Sequence, residues 1–102
     1  LELTKSQVQN AQEIFLFNNR LQATEEHHAI RRYKELMKED HKIIALRTAV
    51  RESAEAKLEH GIIDVNNLLQ EIIKENEAKT NLSTHEIEML KHIYELKHTV
   101  NQ

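Results

Sequence analysis

Cysteine, proline and tryptophan are absent from this 102-residue chain, and glycine occurs once. Without cysteine there is neither a disulfide framework nor a thiolate metal site, and nothing in the thiol content marks a compartment. Without proline no helix is forced to break. Aromatic residues make up 4% and hydrophobic residues 39% of the chain, against 30% charged. That balance suits long helices sharing a seam better than a globular interior. No apolar run approaches the roughly 18 residues of a membrane-spanning helix, and no secretory signal is visible. Net charge is −3 with acids and bases interleaved. Nucleic-acid binding therefore has little electrostatic support. The first residue is leucine rather than methionine, and we expect a segment of a longer protein.

The single glycine, Gly61, organises what remains. Glycine enters the left-handed backbone region without a Cβ clash and so ends helices. Asp64 follows where a helix N-cap is wanted, with Asn66 and Asn67 able to cap if the start slips. The expected fold is all-α: a long antiparallel helical hairpin, a coiled coil in one domain. It comprises a helix over 1–59, a turn over 60–64 and a return helix over 64–100.

Apolar spacing supports both helices. Ala29, Leu36, Ile43 and Val50 fall seven apart, with Ile30, Met37 and Ile44 in a second row beside them. Leu68-Leu69, Ile72-Ile73, Met89-Leu90 and Ile93-Tyr94 form similar doublets in the return helix. Such doublets are wider than a two-stranded seam needs, so each helix should have neighbours on two sides. Ala11, Ile14 or Phe15, and Leu21 keep a helical period further upstream. Asn18, Asn19 and Thr24 are mediocre helix formers, which admits a kink over 18–28, and Ser83-Thr84-His85-Glu86 admits another near 82. Folding at Gly61 sets Val100 opposite roughly residue 24. Residues 1–23 then overhang, with Ile14, Phe15, Leu16 and Phe17 uncovered.

Seven histidines invite a metal or phosphotransfer reading. His27 and His28 are adjacent and diverge on a helix. His85 and His92 share a face two turns apart, too far to hold one ion without a third ligand. No zinc-protease pattern and no paired Glu-x-x-His arrangement of a di-iron bundle is present. The histidines are expected at solvated or rim positions, with no metal site and no cofactor. No nucleophile–base set, glycine-rich phosphate loop or aromatic base-stacking platform occurs, so no catalytic residue is assigned and enzymatic activity is not expected.

The run from Ala54 through Leu58-Glu59-His60-Gly61-Ile62-Ile63-Asp64 to Leu68-Leu69-Gln70-Glu71 resembles the turn of the TolC family of outer-membrane efflux proteins. The segments Glu13–Gln22 and His85–Leu90 are similar to those of Bacteroidetes-type members. The resemblance covers essentially the whole chain and implies one periplasmic hairpin of a homotrimeric channel in a Gram-negative outer membrane. The fragment itself would not span the membrane. Leu58, His60, Gly61, Ile62, Ile63 and Asp64 would form the tip that meets a periplasmic adaptor protein working with an inner-membrane pump. Asn67 and Gln70 would face the pore. Family members carry a tyrosine and an arginine where Leu58 and Ile63 stand, and aspartates where Asn67 and Gln70 stand. Closure would then rest on apolar and amide contacts, with less salt dependence than in those members. Other readings are the hairpin of a periplasmic adaptor and a freestanding helical bundle. Alone, the fragment should form a non-native oligomer that hides the overhang.

Overall fold

The computed structural model describes residues 2–100, with side chains from Lys5 to Thr99. Leu1 and the side chain of Val100, both mentioned above, lie outside the described residues. The fold is the expected one. Two helices, α1 over Glu2–Glu59 and α2 over Val65–Val100, pack antiparallel into a hairpin measuring 88 × 17 × 16 Å. At 1.5 Å per residue, the 58 residues of α1 account for the long dimension, while the 36 of α2 span only about 54 Å.

The turn is built by its own backbone. The Gly61 N–H donates to the Leu58 carbonyl at 3.0 Å and the Ile62 N–H to the Lys57 carbonyl at 2.8 Å. This pair of bonds is the Schellman arrangement, and it needs a left-handed residue at the glycine position. Gly61 supplies it, with φ of +71°. Asp64 then caps α2: its Oδ1 accepts from the Asn67 N–H at 2.9 Å. Asp64 itself precedes the helix, which starts at Val65.

Both helices run unbroken through 18–28 and 82, where the sequence had admitted a kink. Thr24 Oγ1 donates to the Arg20 carbonyl at 2.9 Å, so its hydroxyl is satisfied inside the helix it was expected to disturb.

The seam follows steps of three and four residues. On α1 it runs through Ala23, Glu26, Ile30, Tyr33, Met37, Asp40, Ile44, Arg47, Arg51, Ala54 and Leu58, all buried or half-buried. On α2 it runs through Leu68, Glu71, Glu75, Ala78, Leu82, His85, Met89, His92, Leu96 and Thr99. This is a heptad pattern in which many inward positions are polar. Among the described residues the buried apolar side chains reduce to Ile30, Ala54 and Ala78, beside the buried polar Asp40, Glu75 and Thr99.

Much of the aliphatic content lies outside the seam. Leu36, Ile43 and Val50, each one residue before a seam position of α1, remain 37–45% exposed. On α2, Ile72 and Ile93 each follow a seam position, and Leu69, Ile73, Leu90 and Tyr94 widen that strip. In an antiparallel pair these two flanks fall on opposite sides of the hairpin. Beyond the seam, every described side chain from Lys5 to Asn18 is exposed.

Candidate functional site

The tip presents the residues singled out in the sequence. Ile62 is 69% exposed, while Leu58 and Ile63 are half-buried and hold the turn against the helix ends. His60, Gly61 and Asp64 are exposed. A Cβ built on Gly61 meets nothing within 4 Å, so the demand for glycine there comes from backbone conformation and not from crowding.

The two sides of the hairpin near the tip differ in chemistry. On one side Asn67 and Gln70 share a groove with Val50, Ser53, Lys57 and Ile63. The structure thus brings the two residues expected to face a pore onto one surface, with amides, a lysine and the Glu71 carboxylate among small and apolar neighbours. On the other side Glu52, Glu55 and Glu59 line a shallow groove with Leu58 and Leu68. Sequence reasoning missed this acidic side, although the i, i+3, i+7 spacing of the three glutamates marks one helical face.

Above the tip, a charged group crosses the seam. Arg51 Nε donates to both oxygens of Glu75, at 3.0 and 2.9 Å, and Nη1 reaches Glu55 Oε1 at 2.7 Å. Lys79 Nζ lies 3.6 Å from Glu75. The Arg51 hydrogen bond holds the Glu75 carboxyl below its usual range against the opposing effect of desolvation, and Glu75 raises the Arg51 guanidinium in return.

Further from the tip the seam turns to histidine. His85 Nδ1 donates to Asp40 Oδ2, and His92 Nδ1 to Glu26 Oε2, each at 2.5 Å. Tyr33 lies between them. Its ring stacks on His92 at 5.6 Å between centroids and tilts against His85 at 6.0 Å, with the Arg32 guanidinium 5.4 Å from the tyrosine ring centre. The expectation of solvated or rim histidines therefore fails for these two. They occupy inward positions because a carboxylate on the facing helix accepts their N–H, which satisfies groups that would be costly to bury alone. Their seven-residue spacing was visible in the sequence, but their partners lie 45 and 66 residues away along the chain.

Among the described residues no helix is long and apolar enough to cross a membrane. Comparison of the chain with protein-family models, with curated proteins and with solved structures finds no match in any of the three.

Proposed function

We propose that this hairpin is a periplasmic wall segment of a homotrimeric outer-membrane efflux channel, with its tip docking a periplasmic adaptor that works with an inner-membrane pump. The observation that carries this reading is the pair of apolar strips on opposite sides of the hairpin. One belongs to α1 (Leu36, Ile43, Val50) and one to α2 (Leu69, Ile73, Leu90, Tyr94). A hairpin that packs once, as in a simple dimer, needs one such strip. A hairpin flanked left and right in a closed wall needs two. The resemblance of the turn sequence to the TolC family supports the same reading. In it Ile62, His60 and Asp64 meet the adaptor, Leu58, Gly61 and Ile63 shape the loop, and Asn67 and Gln70 border the conduit.

The test is disulfide trapping in the full-length protein in its native membrane. Leu36→Cys combined with Leu90→Cys places one thiol on each strip at matching heights along the hairpin. Oxidation is expected to yield covalent trimers on a non-reducing gel. A ladder that stops at dimers would overturn the closed wall and favour a freestanding bundle.

A further inference from the structure

We propose that Glu26, His92 and Glu95 form a binding site for a divalent transition-metal ion, zinc being the best chemical fit, which staples α1 to α2 near the open end of the hairpin. One imidazole nitrogen of His92 and one carboxylate oxygen from each glutamate lie within 4.8 Å of one another. His92 Nδ1 stands 2.5 Å from Glu26 Oε2 and 4.0 Å from Glu95 Oε2. Ligand atoms bound tetrahedrally at zinc's usual bond lengths sit about 3.4 Å apart. The two distances straddle that separation, so small side-chain rotations seat an ion with no backbone movement.

The site is carried by rigid elements. His92 and Glu95 are one turn apart on α2, and Glu26 comes from the facing turn of α1. The stacked Tyr33 ring fixes the plane of the His92 imidazole. Two carboxylates converging on one imidazole need a positive charge among them, which a dication supplies more fully than one shared proton. On binding, the metal takes the Nδ1 lone pair, and any proton between Nδ1 and Oε2 leaves to solvent. A nitrogen ligand and only three protein donors suit zinc or its neighbours better than calcium or magnesium, which take six or more oxygens. The three side chains are half-buried, leaving the outward position for water. Among the described residues this is the one group of three or more such side chains close enough to share an ion. The His85–Asp40 pair supplies only two.

The 102-residue chain is titrated with zinc by calorimetry, and its melting is followed by circular dichroism with zinc or with chelator. His92→Gln and Glu95→Gln are compared with His28→Gln and His41→Gln, because exposed histidines bind zinc loosely. One zinc per chain is expected, with a higher melting temperature in zinc. Affinity should fall at least about 10-fold in His92→Gln and Glu95→Gln and stay unchanged in the other two. The Glu95 carboxylate approaches His92 of its own helix at 4.0 Å and forms none of the cross-helix bonds described above, so its variant keeps the hairpin and separates lost ligation from lost folding. Equal affinity across all four variants, or a melting temperature indifferent to zinc, would overturn the site.

Discussion

The turn and the free end of α1 are opposite cases of how a chain comes to be ordered. At the turn every requirement is met within a few residues. Gly61 provides the left-handed backbone, Leu58 and Lys57 provide the carbonyl acceptors, and Asp64 caps the next helix. At the free end the backbone is just as helical, yet Val8, Ile14, Phe15, Leu16 and Phe17 stay 52–65% exposed. Local rules suffice to make a helix there, but nothing in the chain gives it a tertiary surface. The first region is complete in itself, and the second has no tertiary cover among the described residues.

The sharpest way to break this contrast is at the free end. Phe15→Ser together with Phe17→Ser should leave the hairpin's melting unchanged while weakening self-association of the isolated chain. Covering two half-exposed phenylalanines is worth about 3 kcal/mol, or roughly a hundredfold in association constant by sedimentation. An unchanged oligomer would mean that the strips flanking the seam drive association instead. At the turn the effects should be intramolecular. Gly61→Val forces a β-branched residue to φ of +71° and should cost about 1–2 kcal/mol in thermal or denaturant unfolding. Asp64→Ala removes the cap on α2 and should cost about 1 kcal/mol, with no change in association.

The smallest effect concerns acid. Glu75 titrates below its usual range because Arg51 binds the ionised form. Its contribution is complete above the unfolded value of about 4.3 and is lost as pH falls through the lower folded value. Melting temperature should therefore dip as pH drops below about 4, and the dip should shrink in Arg51→Met. An identical acid profile in that variant would remove Arg51 from the account.

The same contrast explains which features were legible in the sequence. Helix type, the turn at Gly61 and the cap at Asp64 depend on neighbours in the chain, and all were readable. So was the overhang, which follows from unequal helix lengths. The seam was legible only in part. The row Ile30, Met37 and Ile44 lies inward, while Leu36 and Ile43 of the same doublets face away from it. Several other inward places hold Asp40, Arg51, Glu75, His85 and His92, which hydropathy alone assigns to solvent. Yet the register that sets Val100 opposite residue 24 also sets Arg51 near Glu75 and Asp40 near His85. Folding the sequence at Gly61 and reading charges across the fold would have found both pairs. The site of Glu26, His92 and Glu95 was harder to see, because a search for ligands along one helix overlooks a third donor from the other.

The antiparallel pairing has an electrical consequence. Each helix carries aligned peptide dipoles, positive toward its N-terminus and negative toward its C-terminus. At the tip the negative end of α1 lies beside the positive end of α2, and their fields largely cancel. Whatever approaches the tip meets shape and side chains with little axial field. At the other end no such cancellation holds. The negative end of α2, softened by Lys97 and His98, lies roughly 35 Å short of the positive end of α1. The hairpin is thus electrically quiet at its closed end and polarised along its open one. An orienting field on this rod would act through the overhang.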